Sequence, residues 1–384
     1  MAATQLDWRE RARQFAETVV RPIAESMDRE DRMPAHIWEE LGKAGFTGLG
    51  LPPRWGGRGG GAVDVVAALE EFSRASAAVA TELAVHLSVA AMPIAQWGTD
   101  AQKEKFLRPL AEGRELGAFA LTEPGTGSDA AGLTTRYTVA DDAVVLRGSK
   151  MFITNGASAD LVLVFATRDP TLGHRGISAF LLPKGLAGFT VAQRLDKLGL
   201  RGSETTELVL QDVRLPLERR LGAEGEGLRI ALSALAGGRV GIAACAAGIA
   251  TAAFEEMVRA AKADPADWKR STVARSYSEL AAARALIHQA AREKDAGEEY
   301  VRSASAAKLV ASTAAVRIAH AAFEVVGPEA QRAGSTAERL LRDARVFPIV
   351  EGTTEIQELI LGRELVGRSE RTDLPRETLS NSPD

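Results

Sequence analysis

The most constraining feature of this chain is a change of hydrophobic period that happens twice. Up to about residue 115, apolar residues recur at three- and four-residue spacing, as on helical faces. Over 116–213, β-branched and aromatic residues alternate with polar ones, and turn residues recur at short intervals. After Gly227 the helical spacing returns and persists. No helix-length segment separates the candidate strands at 117–121, 133–139, 143–152, 161–167, 177–183, 190–195 and 207–216. They should therefore build a mainly antiparallel sheet, a barrel or a sandwich. The expected fold is mainly α with a central β domain. It divides into an N-terminal helical domain (1–115), a β domain (116–227), a C-terminal four-helix bundle (228–367) and a flexible polar tail (368–384).

In the first part, Leu6, Trp8, Phe15, Val19 and Ile23 fall on one helical face, with Pro22 near a break. Further helices are expected at 35–44, 63–80, 81–97 and 101–113. The connection 45–61 contains Gly57-Arg58-Gly59-Gly60-Gly61-Ala62, which has the form of a dinucleotide fingerprint. Leu51-Pro52-Pro53-Arg54-Trp55 before it is no strand, so it reads as a loop. In the last part, helices are expected at 228–263, 268–296, 299–323 and 354–366, the first of them Ala-rich and uncharged along one side.

Several function classes lose ground at once. At 384 residues the chain exceeds what one core supports. A net charge of -4 leaves no basic footprint for nucleic acid. Cys245 is the only cysteine, and the five histidines are scattered without metal-ligand spacing. There is no Gly-x-Ser-x-Gly elbow and no Walker loop. No run of 18 uncharged apolar residues stands out, so no membrane span is expected. The charged amphipathic start lacks a signal core, and the expected address is cytoplasmic.

Two stretches of the β region suit a planar ligand. Phe119-Ala120-Leu121-Thr122-Glu123-Pro124-Gly125-Thr126-Gly127-Ser128-Asp129 sets hydroxyls beside a Gly-rich turn. Met151-Phe152-Ile153-Thr154-Asn155-Gly156 puts a flat aromatic next to a hydroxyl and a turn. An aromatic face with hydroxyl donors near it fits a heterocycle that accepts a hydride. Lys197, Arg201 and Arg239, each with small neighbours, are candidate phosphate receivers, or else salt-bridge partners. In Ile349-Val350-Glu351-Gly352-Thr353-Thr354, an apolar pair precedes a carboxylate that sits against glycine. Such a carboxylate has its charged form disfavoured, which is the condition of a general base near neutrality.

Taken in this order and spacing, these segments resemble the acyl-CoA dehydrogenase family over nearly the whole chain. The resemblance rests on 121–129, 152–156, the Arg201/Ser203/Thr205 spacing, Gly238-Arg239, and Arg342-Asp343-Ala344 ahead of Glu351-Gly352-Thr353. It implies FAD as cofactor and a thioester substrate. Thr122 and Thr154 would bond the flavin ring, Phe152 would flank it, and Phe119, Leu121 and Gly127 would offer neighbouring contacts. Ser128 would touch both the cofactor side and the pantetheine arm, and Arg239 and Gly352 the substrate. Thr353 and Gln357 would meet FAD near the bundle. Glu351 would remove the α-proton while a hydride leaves Cβ, with its own N–H helping to hold the thioester oxygen. Relatives that carry the base on the helix before the arginine would place it at Gly238, which has no side chain.

The chain departs from the family pattern in places. Acids stand in Ala263-Asp264-Pro265-Ala266-Asp267-Trp268, where an Arg and a Phe that reach a neighbour's FAD pyrophosphate are expected. Arg275 replaces an expected glutamine, and Glu324-Val325-Val326-Gly327-Pro328 a Gln-x-x-Gly-Gly element. Val350 replaces an aromatic, and Ala236 an acid. The implied activity is desaturation of an acyl-CoA, with electrons passed to an electron-transfer flavoprotein, in a homo-oligomer. An acyl-carrier-protein thioester is the alternative substrate. A non-catalytic or half-site subunit is the alternative of another class.

Overall fold

The computed structural model describes residues 7–367; Leu6 and the expected tail at 368–384 lie outside them. The N-terminal part is helical. It comprises α1 (Trp8–Phe15), α2 (Ala24–Glu30), α3 (Ala35–Ala44), α4 (Ala62–Ala75), α5 (Ala77–Ala84), α6 (Met92–Trp97), α7 (Asp100–Gln102) and α8 (Arg108–Ala111). A π-helical turn (Ala16–Val20) and a 3-10 turn (Arg21–Ile23) carry the chain past Pro22, whose missing N–H breaks the regular ladder. The break expected near residue 80 falls instead at Ser76, which is extended at φ -152 and ψ 115. Alanine-rich spacing on both sides hides that boundary. The 56–61 segment is a loop, as expected.

Eight strands follow: β1 (Gly117–Ala120), β2 (Arg136–Ala140), β3 (Ala143–Thr154), β4 (Leu161–Thr167), β5 (Ile177–Pro183), β6 (Phe189–Arg194), β7 (Thr205–Pro216) and β8 (Arg220–Leu221). The order is β6-β7-β3-β2-β4-β5-β8, with β1 on β4. Most pairs are antiparallel, but β1 and β2 lie parallel to β4. The long connection between β1 and β4 contains the β2–β3 hairpin, which gives the chain length a parallel crossover needs. Strand β4 is buried at every residue. Its alternate side chains serve two cores: Val162 and Val164 pack inside the sheet domain, and Leu161, Leu163 and Phe165 pack against the helices. That is why it reads as a continuous apolar run.

The C-terminal part is α9 (Gly227–Ala263), α10 (Asp267–Asp295), α11 (Val301–Val326), α12 (Thr336–Ala344) and α13 (Thr354–Val366). Helix α12 is an addition to the four expected. Its signal was present, since Ser335 accepts from the Glu338 N–H at 3.2 Å with the spacing of a capping box. Helix α9 is central and apolar all round. The segments Ala77–Trp97, Gly227–Ala263 and Val301–Gln331 are each long and apolar enough to cross a membrane by length and composition, which corrects the expectation that none is. Their apolar windows are 89%, 83% and 44% buried within the protein, so the first two are spent on its own core.

The Arg342-Asp343 motif ties the three parts together. Arg342 bonds both Asp28 carboxylate oxygens (2.9 and 2.6 Å) and the Leu198 carbonyl (3.1 Å). Asp343 accepts from the Leu200 N–H at 2.6 Å. Arg201 Nε donates to the Asp28 carbonyl at 2.8 Å, so of its two readings the structure supports the internal tie.

Candidate active site

Two loops of the β domain form one cradle because a buried ion pair draws them together. Lys150 on β3 is fully buried and donates to Glu123 at 2.7 Å and to the Leu121 carbonyl at 3.1 Å. Glu123 also accepts from the N–H groups of Thr134 (2.6 Å) and Thr135 (2.9 Å). Burial works against this carboxylate, but the Lys150 ammonium and the threonine hydrogen bonds outweigh it and hold its pKa at about 2. Burial pushes Lys150 down to about 8 against the pull of Glu123, so both partners are charged near neutrality. The Met151 N–H donates to the Thr122 carbonyl at 2.9 Å, which sets Thr122 beside the Phe152-Ile153-Thr154 stretch.

Phe152 is 65% exposed and holds a left-handed backbone at φ 59. A large aromatic that is both exposed and strained is a poor structural element, but a ready platform for a flat ligand. Thr122 and Thr154 are half-buried, and Gly127 and Ser128 are exposed. A Cβ built on Gly125 or Gly127 would meet nothing within 4 Å, and the buried Thr126 hydroxyl lacks a partner. This open, hydroxyl-rimmed platform fits a flavin ring. Phe119 and Leu121, implied as backbone contacts, turn their side chains inward: Phe119 packs on Phe165 at 5.0 Å, and Leu121 is 6% exposed.

Glu351 comes from the other side, on the turn between α12 and α13. It adopts φ 55, unusual for a residue with a side chain. Its Oε2 is buried without a hydrogen-bond partner. Burial lifts the carboxyl to about 7, while Arg239 and Lys308 pull it back down. The carboxylate packs directly on α9 at Gly238, where any Cβ would overlap Oε2. Glycine is thus required there, and a Gly238→Ala variant should displace the carboxylate and lower turnover by about 10-fold or more. Steady-state kcat with unchanged FAD content checks this. Arg239, next along the helix, is 6% exposed with its Nε unpartnered.

Gln357 and Thr353, implied as cofactor contacts, also make local bonds. Gln357 is fully buried, and its amide donates to the carbonyls of Glu351 (3.3 Å) and Gly352 (2.9 Å). Thr353 caps α13, accepting from the Ile356 N–H at 3.4 Å. Gly352, at φ 94, leaves no room for a Cβ, which would lie 2.5 Å from the Gln357 amide nitrogen. Lys308, which the sequence reading passed over, holds the same turn. Its position shares the buried face of α11 with Ala304, Ala307, Ala311 and Ala315, so a lone cation in an apolar stripe was the available signal.

Beside Gly238, the residues Gly237, Val240 and Gly241 line a cavity of about 210 Å³ with Val66, Leu69, Ala84 and Leu87. At the α9–α10 turn, Lys269 holds Asp264 at 2.8 Å, and the Asp267 side chain is 98% exposed.

Comparison with known proteins agrees with this arrangement. Family models match in succession: the acyl-CoA dehydrogenase N-terminal domain over 2–114, the middle domain over 118–213 and the C-terminal domain over 225–366. An acyl-CoA dehydrogenase of Bacillus subtilis is 42% identical over 372 residues, covering 94% of this chain and 98% of the relative. The structure of butyryl-CoA dehydrogenase from Megasphaera elsdenii superposes with a TM-score of 0.92 at 39% identity, covering 95% of this chain and 100% of that one. A chain solved in work on the electron transferring flavoprotein of Acidaminococcus fermentans gives 0.93 at 36% identity, covering 95% and 99%. With the helical, sheet and helical parts matched in order, this chain belongs to the acyl-CoA dehydrogenase family.

Proposed function

We propose that Glu351 is the base of an FAD-dependent acyl-CoA dehydrogenase and removes the proton from the α-carbon of an acyl thioester. The observation that carries this reading is the partnerless, buried Glu351 oxygen packed on Gly238 beside Arg239. FAD, when bound, accepts the hydride that leaves Cβ. The electron pair of the broken Cα–H bond then becomes the new double bond, and the proton rests on Glu351. Phe152, Thr122 and Thr154 orient the ring, with Gly127 and Ser128 at its open rim. Arg239 faces the developing negative charge on the thioester side. Exclusion of water by the apolar wall at Val240, Leu69 and Ala84 protects the charge-separated geometry.

The cavity of about 210 Å³ beside Gly238 is apolar on one side and carries Lys294 and Asp295 on the other; its volume, below the roughly 300–1,000 Å³ usual for drug-sized ligands, favours a short acyl group over a long one. The butyryl-CoA specificity named for the Megasphaera elsdenii structure points the same way. We take an electron-transferring flavoprotein as acceptor, after the work in which the Acidaminococcus fermentans relative was solved. A homo-oligomer, dimer or tetramer, is supported by exposed Leu359, Leu365 and Val366 on α13. A cytoplasmic address fits the one free, buried thiol, Cys245. A half-site subunit is disfavoured by a complete set of Glu351, Arg239, Thr122 and Thr154.

The test is an anaerobic titration of the flavin band with acyl-CoAs of rising length, then with the same acyl groups on a carrier protein. Bleaching is expected with short acyl-CoAs, and kcat/KM should fall about 10-fold or more beyond the length the cavity holds. Bleaching only by the carrier-bound series would replace CoA as the substrate handle. No bleaching by either would defeat the reading.

A further inference from the structure

Glu351 occupies a left-handed backbone, at φ 55, that a residue with a side chain keeps only where its surroundings enforce it. Two side chains enforce it: the Gln357 amide from α13 and a lysine on α11. Lys308 is 0% exposed, and its ammonium donates to the carbonyls of Pro348 (3.2 Å) and Gly352 (2.7 Å), which bracket Glu351. Among the described residues no Asp or Glu oxygen lies within 4.0 Å of it. A cation buried on two neutral carbonyls is a costly arrangement, and it is offset only if a negative charge forms nearby.

We propose that Lys308 is a positioning residue for Glu351: it clamps the turn at both ends and supplies the counter-charge against which the carboxylate ionises. The other ionisable groups around the pair are Arg239 and Cys245 from α9, and Glu355 from α13, with Tyr300 against Arg239. Burial pushes Lys308 down to about 8 while Glu351 opposes it, so the ammonium is present at neutral pH. Of these four, only Arg239 carries the relevant sign. Arg239 and Lys308 favour the ionised Glu351, and of these two Lys308 alone also holds the backbone that aims it.

This inference rests on the reading of Glu351 as the base, and the experiment separates the two. Lys308→Met and Lys308→Arg would be compared with wild type and Glu351→Gln as FAD-loaded enzymes. The readouts are FAD content, acyl-CoA affinity and the anaerobic flavin-reduction rate against pH. Lys308→Met is expected to keep FAD and bind acyl-CoA within about 3-fold, to reduce flavin about 100-fold more slowly, and to show its pH midpoint raised by about one unit. Lys308→Arg keeps the charge with altered donors, so it should lose rate without moving the midpoint. If Lys308→Met is insoluble, Lys308→Arg decides, and a raised midpoint there overturns the proposal. A Lys308→Met enzyme with wild-type rate and midpoint also overturns it, as does a rate that falls only in proportion to lost FAD. A fully active Glu351→Gln enzyme would defeat the base assignment itself.

Discussion

Replacing Glu351 with Gln is expected to leave FAD bound and to slow its reduction by acyl-CoA by about 10²–10⁴-fold, the usual worth of a positioned base. The glutamine is nearly isosteric, so the packing on Gly238 survives and only the proton acceptor is lost. Stopped-flow mixing under anaerobic conditions reads the effect directly. The pH dependence follows from the buried setting. Burial first, opposed by Arg239 and Lys308, places the carboxyl at about 7. The base must be ionised, so the wild-type reduction rate should rise with pH through about 7 and level off above it. The same shift is a stability cost. An unfolded Glu releases its proton near 4.5, whereas the folded one holds it to about 7. Stability therefore falls as pH rises through that window. The Gln variant lacks this loss, and near pH 8 it should be more stable than wild type by roughly 3 kcal/mol. A denaturant melt at two pH values checks the sign.

Breaking the Glu123–Lys150 pair should have the largest effect on stability. Removing one partner leaves a buried charge uncompensated, at a cost of about 3–5 kcal/mol. Lys150→Met is the sharper variant, because it also frees the Leu121 carbonyl and loosens the turn that presents Thr122 to the platform. The expected outcome is an earlier denaturant midpoint together with lost FAD. The double variant Glu123→Gln with Lys150→Met should recover most of the stability but not all of the cofactor affinity. Acid has a defined sign here too. The folded Glu123 sits at about 2, below the ordinary 4.5, so the pair's contribution is present above 4.5 and lost as pH falls towards 2. Equal stability of wild type and Lys150→Met would show that the pair does not hold the cradle together.

Much of the fold was legible because it depends on local period. Strands β4 and β5 fall where alternation and turn residues placed them, and α9 follows from its long apolar run. The break at Ser76 was not legible, since no proline or glycine marks it and alanine continues on both sides. Strand β8 has two residues, too few for any period. The membrane expectation missed three segments because apolarity along a helix measures burial and cannot say what covers it. In the candidate site, the stretches holding Thr122, Phe152, Thr154 and Glu351 stood out through turn chemistry, and their individual roles came from the resemblance. The sequence did not show that Gln357 and Thr353 also hold the turn and cap α13, because those bonds depend on how the chain closes around Glu351.

The sequence by itself determined the order of helical and sheet parts, the glycine-bearing turns, and the residue types that accept a proton or flank a flat ring. These are properties of neighbours along the chain, set by backbone sterics and hydrophobic spacing. Tertiary structure alone decided what meets across long separations. Asp295, at the end of α10, caps α4 from 233 residues away, accepting from the N–H groups of Ala62 (2.5 Å) and Val63 (3.1 Å). Arg342 reaches Asp28. Gly238 leaves the space that the Glu351 carboxylate fills, and Lys308 holds the turn beneath it. The ionisation of Glu351 depends on how many charges and how little water surround it, and only the packing of three helices sets both.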